Sequence, residues 1–185
     1  MKTLFLCILS GALAGCSRFP SSSDNTAKTN LSVLLITFQD LPPGWTTAGL
    51  SSPARWSNYM DGDSMEIDFY SDIVPDHNPF AEEIYRSSGF LPTLRSQNNF
   101  NYLVKELHSG SIPHDWNFKS QFADNSDFSC YTYSNVSYPA CDWIARYDRV
   151  VIHVLAWLIP DRMTLSDLEN IIGKIDAKAG KASGR

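Results

Sequence analysis

The last third of the chain carries the pattern that most constrains the fold. Apolar and polar side chains alternate over Phe128 to Tyr133 and over Cys141 to Tyr147, which predicts two half-buried strands. The next segment, Val150 to Ile159, is apolar on both faces, as a central strand covered on both sides should be. Such a strand needs paired neighbours and a packed layer on each face, so the pattern predicts a sheet with helices against it.

A helix is predicted directly after the third strand. Thr164 with Asp167, or Ser166 with Glu169, has the spacing of a capping box that opens a helix. The predicted buried stripe follows helical spacing and comprises Leu165, Leu168, Ile171, Ile172 and Ile175. The sequence therefore predicts the α+β class: a single domain with an antiparallel sheet, helices packed on it, and a C-terminal strand–strand–helix unit.

The elements before this unit are predicted from shorter signals. Residues 31–41 suit a buried strand or a short helix, and residues 55–71 suit a hairpin that turns at Asp61-Gly62. An Asn-Pro start signal predicts a helix over 78–89, and apolar residues at helical spacing predict another over 100–110. The apolar residues of the second helix are Phe100, Leu103, Val104 and Leu107.

The N-terminus predicts a secretory signal peptide. One positive charge at Lys2 precedes a run of mostly apolar residues and a cleavage site with small residues. This run is shorter than the roughly 20 apolar residues of a membrane-spanning helix. The predicted organisation is 1–15 as the signal peptide, 16–30 as a lipidated cysteine and flexible polar tether, 31–178 as the domain, and 179–185 as a flexible tail.

The motif Leu13-Ala14-Gly15-Cys16 resembles the lipobox of bacterial lipoproteins. The resemblance implies cleavage before Cys16 and attachment of a diacylglyceryl group to its sulfur and an acyl chain such as palmitate to its amine. It also implies an extracytoplasmic protein held on the cell membrane by lipid, and Ser17 favours the outer membrane if the host has two membranes. The alternative is an ordinary secreted protein with an incidental cysteine at a signal-peptidase site.

Two cysteines remain for pairing in the predicted domain. Cys130 and Cys141 flank the connection between two predicted strands, so they could face each other across a hairpin as a structural disulfide. The alternatives are two buried free thiols or a metal pair. Zinc is disfavoured because the spacing is far from C-x-x-C and no second cysteine pair exists. No metal or cofactor is therefore expected.

The charged residues indicate few specific functions. The formal charge of −5 argues against nucleic acid as a partner. Eight acids and no Lys or Arg lie between Arg55 and Arg86, but the segment fails as an EF-hand loop. We expect Glu66 and Asp68 to occupy the solvent face of a strand, and His153 to be a structural residue.

The chain contains no serine-hydrolase elbow, phosphate loop, zinc-protease motif or dinucleotide fingerprint.

Two tryptophans in loop-like stretches are candidates for a ligand-binding lip. Trp45 follows Gly44, and Trp116 follows Asp115. The loop bounded by His108 and His114 precedes Trp116 and could contribute to the same lip. The competing interpretation is that these aromatic residues belong to the core.

Two further segments resemble known families. The run from Cys141 to Val154, with the helix that ends in Lys174-Ile175-Asp176-Ala177-Lys178, is similar to the C-terminal part of bacterial extracytoplasmic sensor-like domains. The turn Leu41-Pro42-Pro43-Gly44-Trp45 resembles that of small lipoproteins with the Mog1/PsbP-like α+β fold. These resemblances imply a non-enzymatic binding, sensing or assembly module.

The expected function combines these inferences. The protein is expected to be a membrane-anchored lipoprotein whose domain binds a small ligand or an envelope protein without catalysis. The main alternative is an envelope hydrolase that acts on glycan or peptide through a carboxylate pair, within the acidic segment. A third possibility is a purely structural lipoprotein.

Overall fold

In the computed structural model, which describes residues 30–51, 53–73, 79–108, 110–134 and 136–185, six strands form one antiparallel sheet. The strands are β1 (Trp45–Ser51), β2 (Asp63–Ser71), β3 (Phe80–Arg86), β4 (Asn125–Thr132), β5 (Pro139–Tyr147) and β6 (Val150–Trp157). Their order across the sheet is β1-β2-β3-β6-β5-β4, so β6 is internal. With helices α1 (Pro92–Leu107) and α2 (Leu165–Ala182), this architecture confirms the predicted α+β class.

One face of the sheet packs against α2 and forms the main core. Strand register places Phe80, Val154 and Trp143 on this face of three neighbouring strands. The buried stripe of α2 covers them with Leu168, Ile171, Ile172 and Ile175, as the helical spacing predicted. Thr164 and Asp167 form the predicted capping box, in which each side chain accepts a backbone N–H.

The opposite face packs against α1. Phe100 and Leu103 of α1 contact a smaller apolar cluster that includes Tyr85, Ile144 and Val151. The predicted helix over 100–110 is therefore confirmed, although it begins at Pro92 and ends at Leu107. Strand β6 is buried on both of its faces, which agrees with its apolar sequence.

The predicted helix over 78–89 is wrong, because β3 occupies Phe80–Arg86. This strand lies between β2 and β6 and hydrogen-bonds to both. Phe80 and Ile84 face α2, whereas Ala81 and Tyr85 face α1, so the segment needs a period of two and not a helical period. Asn78, the expected N-cap, lies outside the described residues.

The predicted hairpin over 55–71 is also wrong. Only its second half is a strand, and the antiparallel neighbours of β2 are β1 and β3. Residues before β2 form a loop with a short 3-10 turn at Ser57–Tyr59. Gly62 ends this loop with φ +120°, and a Cβ atom there would collide with the carbonyl oxygen of Arg86. The Asp-Gly signal therefore marks a tight entry into β2.

The two ends of the domain also differ from expectation. The segment 31–41 contains two 3-10 turns, Leu31–Val33 and Phe38–Asp40, and no strand. The expected flexible tail at 179–185 is wrong for its first four residues, because α2 continues to Ala182 and buries Ala179. The predicted signal peptide and all but the last residue of the predicted tether lie outside the described residues. Because the sheet, both helices and both apolar clusters lie within 31–182, this part contains a complete core.

Candidate functional site

A cleft of about 580 Å³ opens at the end of the sheet where β5 turns into β6. Its size lies within the range of small-molecule binding sites. Leu31 and Leu34 contribute from the first 3-10 turn, and Ala179 from α2. Tyr147 and Val150 contribute from the sheet, on the face that packs against α2. Much of the lining is therefore apolar and lies at the edge of the main core.

The turn between β5 and β6 is held in place on one side of the cleft. Asp148 adopts a left-handed conformation there, with φ 50°. Its backbone N–H donates to Oδ2 of Asp124 at 2.7 Å, and its carboxylate accepts a hydrogen bond from Thr93 at 2.8 Å. Ser96 of α1 also donates to the Asp148 carbonyl. These bonds fix the start of α1 against the turn, so this side of the cleft is preformed.

Two arginines line the cleft, and each is paired with an aspartate that also lines it. Arg86 lies at the end of β3 and forms an ion pair with Asp63 at 2.6 Å. Arg149 lies in the turn and forms a longer pair with Asp148, at 3.6 Å. Guanidinium groups bind carboxylates, sulfates and phosphates through several N–H donors. An apolar lining with two guanidinium groups fits a small molecule that has an apolar body and an anionic group.

A second feature is an ionic band across the α1 face of the sheet, formed by Arg55, Glu66, Glu83, His153 and Asp142. Nδ1 of His153 lies 2.6 Å from Oε2 of Glu83, and Nε2 lies 2.7 Å from Oδ1 of Asp142. Arg55 contacts Glu66 at 3.2 Å and Glu83 at 3.7 Å. The side chains of Glu83, His153 and Asp142 are only 1–3% exposed. Both nitrogens of His153 therefore have carboxylate partners, as expected of a structural histidine.

The charges of the ionic band explain its pKa values. Burial disfavours the charged imidazole, but hydrogen bonds to Asp142 and Glu83 outweigh it and raise the pKa of His153 to about 9. Burial alone would raise the pKa of Glu83, yet His153 and Arg55 lower it. Burial and the nearby charge of Glu83 raise the pKa of Glu66 to about 7. At neutral pH His153 is therefore an imidazolium ion, hydrogen-bonded to Glu83 and Asp142.

Glu82 is buried alone on the other face of β3. One of its oxygens accepts the backbone N–H of Ile36 at 2.6 Å, and the other has no hydrogen-bond partner among the described residues. Burial raises its pKa to about 8, with smaller opposing effects from the Ile36 hydrogen bond and from Lys178. Glu82 therefore attaches the segment after the first 3-10 turn to the sheet, and its carboxyl group is mostly protonated at pH 7.

The three glutamates of the acidic segment do not provide an open carboxylate pair, whereas its exposed Asp63 lines the cleft with Asp148, and each of these two acids is paired with an arginine. Glu66, Glu82 and Glu83 are buried, so the expectation that Glu66 lies on a solvent face is wrong, and Asp68 is half-buried. Glu83 and Asp142 share one imidazole and are closed off from solvent. A glycosidase needs its two carboxylates on either side of a sugar. This arrangement fits a structural ion cluster better than hydrolysis.

The expected lip does not form as one surface. Trp45 is buried, and its indole N–H donates to the carbonyl of Arg162 at 3.1 Å. It begins β1, whereas Trp116 stacks on Phe128 of β4, with ring centroids 3.5 Å apart, so the two tryptophans lie at opposite edges of the sheet. Trp45 therefore belongs to the core.

The other members of the expected lip lie near Trp116. A hollow of about 170 Å³ is lined by Trp116 and Asp127, among others. His108 contacts Asp127 at 2.7 Å, and the side chain of His114 is fully exposed beside Asp115. This hollow is less than a third of the volume of the cleft, which makes it the weaker candidate site.

Sequence reasoning missed the two arginines of the cleft and the members of the ionic band other than His153. The cleft is assembled from segments far apart in the chain, so no local spacing identifies it. The sequence does contain a signal for the ionic band. On one face of β5, the charged residues Asp142 and Arg146 lie on either side of Ile144. Glu83 lies inside β3, and His153 lies inside β6 among apolar residues. Polar residues inside such strands indicate partners on neighbouring strands.

The two domain cysteines face each other across β4 and β5. Cys130 and Cys141 are register partners, and their sulfur atoms lie at disulfide distance, 2.06 Å.

Within the described residues, no group of three or more His, Cys, Asp or Glu side chains is placed to hold a metal ion. In the same part of the chain, neither helix is long and apolar enough to cross a membrane.

The chain matches no protein-family model, and no curated protein sequence is significantly similar to it.

Proposed function

We propose that this protein is a lipid-anchored, extracytoplasmic binding domain that performs no catalysis, and that its ligand occupies the cleft at the β5–β6 turn. The observation that carries the proposal is the chemistry of the cleft. Its apolar residues lie beside two ion pairs, Arg86 with Asp63 and Arg149 with Asp148, and its described lining residues include no histidine or cysteine. A small amphipathic anion matches this arrangement, because its apolar body would be desolvated while its charge meets a guanidinium group.

The N-terminal motif supports the anchor. Leu13-Ala14-Gly15-Cys16 resembles a lipobox, and several acyl chains on one residue give stable membrane attachment. The described chain begins at Asn30, directly before Leu31, which lines the cleft. The segment that carries Cys16 therefore joins the domain beside the proposed ligand site, a geometry suited to an envelope ligand.

The paired cysteines support an extracytoplasmic location. Disulfides persist in oxidising compartments and are rare in the cytosol. We therefore propose that Cys130 and Cys141 form a structural disulfide after export. The resemblance to extracytoplasmic sensor-like and Mog1/PsbP-like domains supports the same class of function, a module that binds, senses or assembles.

A fluorescence titration with 8-anilinonaphthalene-1-sulfonate, an aromatic anion, tests the cleft. The oxidised chain from residue 17 onward, which contains the complete core, should bind one probe molecule saturably. Ala182→Trp fills the cleft from an exposed position on α2 and should weaken binding at least tenfold. Ala177→Trp is the matched control, because Ala177 is exposed on the same helix and does not line the cleft. Equal affinity of wild type and Ala182→Trp would overturn the proposal.

Metabolic labelling with radioactive palmitate tests the anchor in a bacterial host. The wild-type chain should incorporate label, and Cys16→Ala should not. Cys7→Ala is the control, since Cys7 lies within the predicted signal peptide and should not affect labelling. A Cys16→Ala protein that still carries label would contradict lipidation at this residue.

A further inference from the structure

Three large apolar side chains project into solvent beside the cleft. Phe90, Leu91 and Leu94 are 82%, 53% and 55% exposed. Phe90 and Leu91 lie between Gly89 and Pro92, which line the cleft, and Leu94 follows in the first turn of α1. Leu91 and Leu94 are three residues apart, so they share one side of the helix start. We refer to Phe90, Leu91 and Leu94 as the apolar knuckle.

The backbone of the apolar knuckle adopts an energetically unfavourable conformation at Leu91. Leu91 has φ 56° and ψ 55°, a left-handed conformation that is unfavourable for a leucine. Arg95 stabilises this backbone conformation with two hydrogen bonds. Its backbone N–H donates to the Leu91 carbonyl and its Nε–H donates to the Phe90 carbonyl, both at 3.1 Å. Nη1 of Arg95 also pairs with Asp61 at 3.0 Å. A strained, supported loop that exposes apolar side chains points to a function of that surface.

The knuckle lies on the side of the domain from which the N-terminal segment leaves. Gly89 and Pro92 line the same cleft as Leu31, and the described chain begins one residue before Leu31. Only 14 residues separate Cys16 from Leu31. A chain of that length reaches at most roughly 50 Å when fully extended. A lipid on Cys16 would therefore keep this end of the domain within roughly 50 Å of the bilayer.

We propose that the apolar knuckle inserts into the bilayer that holds the lipid of Cys16, so that the cleft faces the membrane surface. The inference rests on the proposed lipid anchor. Phe and Leu side chains partition into the boundary between headgroups and acyl chains, and arginines beside them can contact lipid phosphates. Arg95 contacts the knuckle directly, and Arg86 and Arg149 line the neighbouring cleft; each of the three is paired with an acid in the lipid-free domain.

The chemistry favours a membrane over a second protein chain. A stable protein interface buries roughly 800 Å² on each partner. Three side chains at a helix start provide much less, and the lining of the neighbouring cleft includes charged residues at Asp63, Arg86 and Arg149. Insertion of a small apolar tip requires no matching surface, and a lipid anchor supplies the proximity that such a weak contact needs.

Spin-label accessibility tests the proposal in the lipidated full chain. The variant Leu94→Cys is labelled with a nitroxide and reconstituted in vesicles of phosphatidylethanolamine and phosphatidylglycerol. The measured quantity is the ratio of the label's collision rate with oxygen to its collision rate with a water-soluble nickel chelate. This ratio should be at least fivefold higher in the vesicles than for the same label on the chain from residue 17 onward in buffer. Ile112→Cys is the matched control, because Ile112 is 60% exposed and does not line the cleft. Its ratio should change less than twofold.

The outcomes separate the two proposals. A protein that does not float with the vesicles contradicts the lipid anchor, and with it the insertion. A protein that floats, but whose label at 94 collides with the chelate as often as the label at 112, overturns the insertion alone. A label at 94 that is already shielded in buffer without vesicles indicates self-association and also overturns it. Adding Phe90→Asp to Leu94→Cys should return the label to water if the knuckle inserts.

Discussion

The two faces of the sheet are stabilised in different ways. The α2 face is covered by an aliphatic stripe and contains two buried acids, Glu82 on β3 and Asp176 on α2, which accepts a hydrogen bond from the Tyr147 hydroxyl. The α1 face combines a small apolar cluster with the ionic band centred on His153. Apolar burial tolerates exchange between similar side chains, whereas the band requires each charged group to meet one particular partner. The two faces of the sheet should therefore differ in their response to substitution and to pH.

His153→Leu should have the largest effect, because it leaves Glu83 and Asp142 buried without their cation. Removing one partner of a buried ion pair costs about 3 to 5 kcal/mol, and we expect the upper end here since two carboxylates lose their partner. Urea denaturation at pH 7 measures this loss. Ile152→Val, one residue earlier and facing α2, should cost only about 1 kcal/mol. A smaller loss for His153→Leu than for Ile152→Val would show that the band carries no stability.

Glu82→Gln should remove a pH dependence that originates on the α2 face. The folded chain has a pKa of about 8 at Glu82, against an ordinary value of 4.5. Between these pH values the folded chain holds a proton that the unfolded chain releases, so stability falls as pH rises from about 4.5 to about 8. The shift corresponds to a loss on the order of 5 kcal/mol. Glutamine cannot ionise, but its carbonyl oxygen can still accept the N–H of Ile36.

Urea denaturation at pH 5, 6.5 and 8 measures this difference. The free energy of unfolding of the variant should increase steadily relative to that of the wild type over this range. The contributions of His153 and Glu66 should be the same in both proteins. The pKa of His153 is about 9 against 6.5, so its contribution is lost separately as pH rises from about 6.5 to 9. Parallel stability curves for wild type and Glu82→Gln would contradict the raised pKa of Glu82.

Replacing both Cys130 and Cys141 with alanine should destabilise the edge of the sheet shared by β4 and β5. The two residues are separated by 11 positions, and a cross-link over a loop of that size contributes about 3 kcal/mol in the chain-entropy model. Thermal unfolding of oxidised wild type and the double variant measures the effect. The loss should disappear when both proteins are compared under a strong reductant. An equal loss under reductant would assign it to packing on the α2 face instead.

Thr164→Ala should have the smallest effect. It removes the side-chain oxygen that accepts the backbone N–H of Asp167 at 3.1 Å. Loss of such a cap costs about 1 kcal/mol. Thr164→Ser is the matched control, because serine keeps the oxygen. A loss in urea denaturation that exceeds that of Ile172→Ala would contradict the view that apolar contacts hold α2 on the sheet.

The accuracy of sequence reasoning differed between these regions for a physical reason. β5, β6 and α2 could be predicted because their side-chain periods of two and 3.6 report burial directly. β3 could not, because Glu82 and Glu83 resemble the charged first turn of a helix. Their actual partners, Ile36 and His153, lie 46 and 70 residues away. The cleft was hidden for the same reason, since Leu31, Arg86 and Ala179 meet only after folding.

The measurement that tests the central claim most directly is a map of backbone amide chemical shifts during titration with 8-anilinonaphthalene-1-sulfonate. The uniformly ¹⁵N-labelled, oxidised chain from residue 17 onward serves as the sample. If the cleft is the ligand site, the largest shifts will occur at Gly89, Val150 and Gly184, which line it from three separate segments. Shifts concentrated instead at Phe118 and Phe128, beside the small hollow at Trp116, or the absence of saturable shifts would contradict the account.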